Sequence, residues 1–237
     1  QQSGLKMNVN LTVNPDTVAD FAIDFNACKS FVKAGNSGKY LLKPVLSVFP
    51  IISSKIVGWV DPAIAASAGV SAQVGGEPLR ATVPEPATGR FELAWIPVGT
   101  YDLVITAPGR VNAVMTGVPV TAAGATTIGS DAVRLSPPAS AASAVVSGKV
   151  TPSDSADVRA LQSLTSSTKM EVGYAGANAT TGDYTLTLPT GAPAYVAYAA
   201  SAPIITFASD APRAGLYTLQ ARSGTATQQR DITLPVA

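Results

Sequence analysis

The sequence contains no histidine and a single cysteine, Cys28, among its 237 residues. Without histidine it cannot build the Ser-His-Asp or Cys-His arrangements of hydrolases, or a zinc site that requires imidazole. One cysteine cannot form a disulfide within the chain or a thiolate cluster. Cys28 is therefore expected to be a small buried side chain, or to pair with a segment outside this chain. Any metal chemistry would have to rest on carboxylates alone.

Charge is also scarce, since 16 basic and 15 acidic residues make up 13% of the chain and leave a net charge of +1. This balance offers no electrostatic footprint for a nucleic-acid partner. The longest apolar run, residues 44–60, is interrupted too closely by polar residues and proline to form a transmembrane segment. Low charge and abundant Thr, Ser and Ala favour an extracellular or periplasmic bacterial protein, and the localisation we expect is extracellular or at the cell surface. The chain begins at Gln1 rather than methionine, so it is expected to be a processed or truncated product.

One pattern occurs twice. Residues 88–105 read TGRFELAWIPVGTYDLVI, and residues 181–197 read TGDYTLTLPTGAPAYVA. Each stretch begins with a turn and continues as an alternating strand, a Pro/Gly turn and a second strand, which predicts a β-hairpin in each. With 20 glycines and 18 prolines the chain has enough turn residues for many short strands.

The repeat divides most of the chain into two similar units, residues 51–136 and 145–237. Val146–Val150 stands in the second where Val57–Val60 stands in the first, and residues 137–144 have the composition of a linker. The strand order of the first unit, with its phrase PVGTYDL at 97–103, resembles the carboxypeptidase regulatory-like, prealbumin-like domain. That resemblance implies a β-sandwich in each unit and implies no particular activity. In the second unit, Ser201 to Gly215 is interpreted as an insertion.

The first 50 residues have a different organisation. Apolar side chains occupy every second position of a predicted strand, namely Leu5, Met7, Val9, Leu11 and Val13. A turn, a second strand, a short helix over 26–34 and a strand from Lys39 to Phe49 are predicted to follow. The phrase FNACKSFVKAGNSGKYLLKPV at 25–45 resembles the C-terminal part of the DUF4382 family. The resemblance covers about residues 1–48 and implies a partial domain of a secreted or lipid-anchored bacterial protein, without an assigned function.

Three groups of residues invite a catalytic or ligand-binding interpretation. The GNSGK phrase at 35–39 lacks the spacing of a phosphate-binding loop and precedes a strand. Asp20 and Asp24 would stand ~13 Å apart on one strand face, too far for paired glycosidase carboxylates. Glu92 and Asp102 are expected to be surface charges, with a sugar or calcium role as the alternative if they meet across strands. No catalytic, cofactor or metal site is predicted.

Aromatic residues make up only 6% of the chain, and most are expected in the core. Trp95 and Tyr101 are predicted core residues. Tyr195 and Tyr198 have opposite phase, so one of the two is expected at the surface. The candidate surface or ligand-stacking aromatics are Trp59 and Tyr198.

These patterns predict an all-β protein: tandem Ig-like or prealbumin-like β-sandwiches preceded by a partial β unit with one short helix. The leading hypothesis is a non-catalytic structural module whose partner is another copy of itself. The strand Leu5–Val13 would add to a neighbouring chain's sheet edge, and repeated addition would build an extracellular filament. The alternatives are a carbohydrate-binding or adhesin module that contacts surface glycans, and an accessory domain of an enzyme whose catalytic part lies outside this sequence. No cofactor is implied.

Overall fold

The computed structural model describes residues 21–25, 30–34, 39–42, 44–50, 54–122, 124–152 and 156–235. Over these residues the protein is an all-β sandwich fold, which confirms the predicted fold class. The helical elements that lie wholly within these residues are α1 (Pro62–Ala65) and a 3-10 turn (Ala211–Arg213). The strands are β1 (Phe21–Phe25), β2 (Phe31–Ala34), β3 (Lys39–Leu42), β4 (Leu46–Pro50), β5 (Lys55–Trp59), β6 (Gly69–Val74), β7 (Glu77–Thr82), β8 (Arg90–Ala94), β9 (Gly99–Thr106), β10 (Ala113–Val120), β11 (Ala125–Ile128), β12 (Ser143–Lys149), β13 (Asp157–Ser163), β14 (Lys169–Gly176), β15 (Asp183–Pro189), β16 (Ala194–Ala197), β17 (Ala208–Ser209), β18 (Leu216–Ser223) and β19 (Ala226–Thr233).

Two sheets enclose the first apolar core. Strands β11, β5 and β8 form one sheet, and strands β17, β16, β10, β9, β6 and β7 form the other, in those orders. Strand β5 is central in its sheet because it pairs antiparallel with β8 and parallel with β11. The side chains between the sheets are excluded from water and include Ile56, Phe91, Leu93, Leu103 and Ile105.

A second pair of sheets encloses the second core and follows the same plan. Strands β12 and β15 lie over the four strands β14, β13, β18 and β19. Gly58 of β5 is opposite Phe91, and Gly148 of β12 is opposite Tyr184. In both halves the aromatic ring covers the glycine, since an added Cβ would stand 2.5 Å from Phe91 Cζ or 2.7 Å from Tyr184 Oη. Strands β5 and β12 therefore occupy equivalent places in the two halves.

The predicted hairpins at 88–105 and 181–197 are wrong, because the two strands of each stretch enter different sheets. In the first copy β8 pairs with β5, whereas β9 lies in the six-stranded sheet between β6 and β10. Trp95, directly after β8, has a left-handed φ of 56°, and this bend turns the chain out of its sheet. The Tyr101 hydroxyl then donates to Pro97 O at 2.9 Å and fixes the crossing from one layer to the other.

In the second copy the chain crosses to the other half of the protein, because β16 joins a sheet of the first half. Strand β16 pairs in parallel with β10, with Ala194 aligned to Ala113, and β17 then pairs antiparallel with β16. The position beside β13 that corresponds to β9 is taken by β18. The second half therefore contributes two strands to the first half's sheet. The segment between the halves is also bonded: Ser140 N donates to Gly109 O at 2.9 Å, and β12 begins at Ser143, inside the expected linker.

The helix predicted over 26–34 is wrong for its last four residues, although Ser30 is helical. Phe31–Ala34 is strand β2, which pairs antiparallel with β3 so that Phe31 is opposite Leu42. A helix of this length is marginal without a packed face, and phenylalanine and valine favour a strand as soon as one can form alongside. The predicted strand from Lys39 to Phe49 is divided into β3 and β4, and β4 pairs instead with β1. Near the end of the first half, Leu135 forms one isolated parallel bridge with Val60.

The turn that opens each repeat copy is held by one glycine. Val60 N donates to Gly89 O, and Val150 N donates to Gly182 O, both at 2.9 Å. Gly89 and Gly182 have φ values of 72° and 75°. A Cβ at either position would collide with the backbone oxygen of Val60 or Val150. Glycine is therefore required here both for the left-handed backbone and for the close approach of two chain segments.

We expect Gly89→Ala and Gly182→Ala each to lower the free energy of unfolding by about 3 kcal/mol or more, because strain from φ adds to a collision with main chain. The matched control is Gly109→Ala, which has a φ of 72° and no atom within 4 Å of the added Cβ. This control measures the free-energy cost of a left-handed backbone at alanine without a collision, which is about 1–2 kcal/mol. Urea unfolding of the three variants measures the difference. Equal losses at all three positions would contradict the role of the close approach.

Candidate assembly surfaces

The two halves pack against each other through the outer faces of their larger sheets. Val104 and Val114, from β9 and β10, meet Leu164 and Met170, from the end of β13 and from β14, in a small buried cluster. Around this cluster the contact is polar and also buried. We call this contact the joint, and it brings together residues that are 50 to 105 positions apart in sequence.

Gln73 fastens one side of the joint by binding the backbone of the opposite half. Its amide nitrogen Nε2 donates to Glu171 O, and its Oε1 accepts from Glu171 N, both at 2.8 Å. Gln73 is 1% exposed, so water does not compete for these bonds. The Gln73 side chain replaces a neighbouring strand at this point, because it bonds to both the backbone N–H and the backbone C=O of Glu171.

Arg159 carries the charge at the joint and is itself buried. Its Nη1 lies 3.2 Å from Glu171 Oε2, its Nη2 pairs with Glu77, and its Nε donates to Gln220. Burial lowers the pKa of the guanidinium, but the bonds and charges of Glu77 and Glu171 outweigh it and raise the pKa overall. Arg159 therefore stays charged, and it bridges strands of both halves.

A third contact of the joint centres on Asn112. Its Nδ2 donates to Gln162 Oε1 at 2.8 Å and to the Tyr217 hydroxyl oxygen at 3.1 Å. The Tyr217 hydroxyl donates in turn to Pro189 O at 2.6 Å. Burial raises the pKa of Tyr217, although the hydrogen bonds with Asn112 and Gln162 lower it. Tyr217 thus remains a neutral donor that links the two cores.

Sequence patterns did not single out Gln73, Asn112 or Arg159. A signal was present, since Arg159 and Gln162 interrupt the strand DVRALQS, in which every position from 158 to 162 is buried. A strand that is buried on both faces carries a cation only where the fold supplies anionic partners.

The N-terminal strands have the opposite character, because their apolar side chains face water. Among the described strands, the sheet β1–β4 and the sheet β2–β3 have two strands each. Tyr40 is 66% exposed, and other large apolar side chains of this segment are also exposed: Ile23, Phe25, Phe31, Leu41 and Leu42. A two-stranded sheet in water is marginal unless another layer covers it. We call these six side chains the N-terminal apolar surface, and exposed apolar side chains in this number are typical of an interaction surface.

The predicted contact strand Leu5, Met7, Val9, Leu11 and Val13 lies outside the described residues. Of the candidate aromatics, Trp59 is half-buried in β5, and Tyr198 is partly buried against the first core. Tyr195, of opposite phase, is the exposed one of the two, at 41%. Tyr101 is buried as predicted. The prediction of a core position for Trp95 is wrong, since this residue is 38% exposed, because the left-handed bend at Trp95 interrupts the strand alternation.

The predicted carboxylate candidates do not meet. Glu92 on β8 binds Lys55 Nζ at 3.2 Å and Arg90 at 3.1 Å, and these two hydrogen bonds hold its pKa below the usual range. Asp102 on β9 belongs to the other sheet, where burial raises its pKa against a backbone hydrogen bond with Gly117. Among the described residues no three His, Cys, Asp or Glu side chains lie close enough to share a metal ion.

A cleft of about 440 Å³ opens between the two halves beside the joint. Alanine, serine, threonine and proline make up most of its lining, which contains no carboxylate. Its one cation, Arg110, donates from Nη1 to Pro137 O at 3.0 Å. The cleft therefore offers no acid–base pair for catalysis. In the part of the chain that the structure covers, no helix has the length and apolar character to cross a membrane.

Comparison with known proteins gives one family match and one structural likeness. Residues 1–44 match the model of the family described as a domain of unknown function, DUF4382. A type II cohesin–X–dockerin complex from Acetivibrio cellulolyticus, a C-terminal interface mutant, is similar at 22% identity with a TM-score of 0.28. That similarity covers 35% of this chain and 55% of the other. No curated protein matches the chain.

We expect Arg159→Met to lower the free energy of unfolding by about 3–5 kcal/mol, because it leaves Glu171 buried without its cation. Urea unfolding checks this. The matched control is Arg222→Met, which removes the more exposed pair with Asp157 and should cost about 1 kcal/mol or less. The double variant Arg159→Met, Glu171→Leu should regain part of the loss. If both arginine variants cost the same, the joint does not depend on this ion pair.

Alkaline pH should weaken the fold through Tyr174. Burial, together with the nearby Asp157 charge, raises the pKa of Tyr174 to about 12. An unfolded tyrosine titrates near ~10, so the stability contributed by the neutral phenol is complete below that pH. It is lost as the pH rises through the folded value. Between pH 10 and 12 the unfolding midpoint in urea should therefore fall more steeply for the parent than for Tyr174→Phe, and parallel curves would contradict this.

Proposed function

We propose that the chain is a non-catalytic structural module of a secreted or cell-surface bacterial protein, and that it assembles into an extracellular filament by strand addition between neighbouring chains. The observation that supports this most strongly is the N-terminal apolar surface. Six large apolar side chains there face solvent within two small sheets. Such a surface requires a covering partner, and a neighbouring copy of the chain is the partner that every molecule has available.

The alternating segment Leu5–Val13 supplies the means of addition. It has an apolar and a polar face over nine residues, and an added strand satisfies the backbone groups of an exposed sheet edge. A contact between the segment Leu5–Val13 of one chain and a different surface of the next chain is a head-to-tail contact. Repeated without closure, it produces a fibre.

The joint between the two halves is a second, independent observation that supports the proposal. Strand exchange through β16 and the buried contacts of Gln73 and Arg159 hold the two halves as one body. This arrangement suits a filament subunit. A pulling force along the filament would be resisted by backbone hydrogen bonds and buried polar contacts between the halves, and not by a flexible linker. The resemblance of the N-terminal segment to DUF4382 supports a secreted or lipid-anchored location.

A carbohydrate-binding or adhesin module is the alternative function. It needs exposed aromatic rings that stack on sugars, and Tyr195 and Trp95 are the aromatic side chains of the two halves that meet this requirement best. Tyr198 packs against the core, which leaves less of its ring for a ligand. Binding to a glycan array that Tyr195→Ala or Trp95→Ala abolishes would favour this alternative.

The filament proposal predicts that charges on the N-terminal apolar surface block assembly. Tyr40 and Leu42 lie on the same face of β3, and both are exposed, so the double variant Tyr40→Lys, Leu42→Lys should fold normally and remain monomeric. We expect the parent chain to form filaments in negative-stain electron microscopy and large species in sedimentation velocity. The double variant should raise the concentration needed for assembly about tenfold or more.

The matched control places the same charges elsewhere. Val83 and Val98 are 65% and 63% exposed and lie outside the N-terminal surface. The double variant Val83→Lys, Val98→Lys should assemble like the parent. A parent that stays monomeric at high concentration would refute the filament, and equal effects of the two double variants would refute the role of this surface.

A further inference from the structure

The two halves share a plan, but one strand of the first half has no described counterpart in the second. Strand β5 has β8 on one side and β11 on the other. Its equivalent β12 has β15 on one side, and no described strand pairs with its other edge. Counted over the described strands, the sheet over the second core therefore has one strand fewer than the sheet over the first.

Register shows which backbone groups of β12 are left open. Thr190 N donates to Ala142 O, and Val150 N donates to Gly182 O, at the two ends of the β12–β15 ladder. Because antiparallel partners alternate, the even-numbered residues of β12 bond to β15. The N–H and C=O groups of the odd-numbered residues point outward, and these residues are Ser143, Val145, Ser147 and Lys149.

In the first half the same outward groups have partners. Lys55, equivalent to Val145, donates from its N–H to Gly124 O at 3.2 Å, immediately before β11. Trp59, equivalent to Lys149, accepts at its carbonyl oxygen from Leu135 N at 2.8 Å. The backbone of β5 is thus satisfied on both sides, which is the rule for a strand that covers a core.

The burial of the core side chains differs between β5 and β12 in the same sense. Ile56 of β5 is 0% exposed, under the cover of β11, whereas its equivalent Val146 is only partly buried. Val145, on the outer face of β12, is 69% exposed. The open backbone groups of β12 and the incomplete burial of Val146 thus both indicate a place for a further strand beside β12.

We propose that the free edge of β12 is the acceptor, and that the segment Leu5–Val13 of a second copy of this chain occupies it. The segment is nine residues long against seven for β12, so it can pair along the whole edge. Its apolar residues would extend over the second core beside Val146, as Ile128 of β11 does over the first core, where it is 2% exposed. Lys6, Asn8, Asn10 and Thr12 would face water.

This inference rests on the proposed filament, and the test separates the two. Val145→Pro removes one outward N–H and no bond to β15, so the subunit should fold, since proline is tolerated on an open edge. The matched control is Gln229→Pro on β19, the edge strand of the other sheet of the same half. Leu234 N donates to Gly215 O, so the Gln229 N–H also points outward.

Assembly of the parent chain, residues 1–237, and of both variants is measured by sedimentation velocity, with circular dichroism and urea unfolding as checks of folding. We expect Val145→Pro to raise the concentration needed for assembly about tenfold or more, because each contact loses a hydrogen bond and meets the proline ring. Gln229→Pro should assemble like the parent. If Val145→Pro assembles normally while Val9→Pro does not, the filament stands and β12 is not its acceptor. If the parent does not assemble, both proposals fail.

Hydrogen exchange of the parent keeps the inference testable if Val145→Pro fails to fold. Amides of residues 143–149 should become at least tenfold slower to exchange in assembled than in dispersed protein, while those of residues 226–233 should be unchanged. Protection of 143–149 that is already complete in dilute monomers would show that the chain's own segment fills the edge, and this would overturn an intermolecular acceptor. Equal protection of both segments would also overturn it.

Discussion

The backbone groups on a strand edge must find partners, and this constraint governs the architecture of the whole molecule. A sheet satisfies its interior strands automatically and leaves two rows of donors and acceptors at its sides. Here the first half covers one side of β5 with β11 and one side of β10 with β16, a strand taken from the second half. The exchange extends the sheet behind the first core to six strands and makes the two halves interdependent.

The sequence patterns predicted where many of the strands lie, but they did not predict which strands pair with each other. Alternation at 88–105 and 181–197 correctly predicted strands, since a period of two marks a half-buried pleated surface. It did not predict the sheet to which each strand belongs, because a turn that bends back and a turn that crosses between layers have similar composition. The information lay in backbone conformation, in the left-handed Trp95, which no pattern of apolar and polar residues encodes.

The same reasoning explains the other differences. Phe31–Ala34 form a strand, although a helix was predicted there, because β3 lies alongside and offers backbone partners. The joint was missed because Gln73 and Arg159 have the polarity of surface residues, and their burial follows from partners on the other half. The candidate assembly strand rests on sequence alternation alone, whereas the exposure of Tyr40 and Leu42 depends on tertiary structure, which alternation does not encode.

The joint is polar for a reason that apolar packing alone does not supply. Two flat sheet faces joined only by valine, leucine and methionine would tolerate sliding by a residue, since such contacts have little directional preference. Gln73 binds the donor and acceptor of a single residue, Glu171, and a slip of one position would break both bonds in a buried place. The buried polar contacts therefore fix the register of the halves. With that register fixed, the free edge of β12 keeps a constant position relative to the first half, and a constant position is what a regularly repeating assembly requires of its subunit.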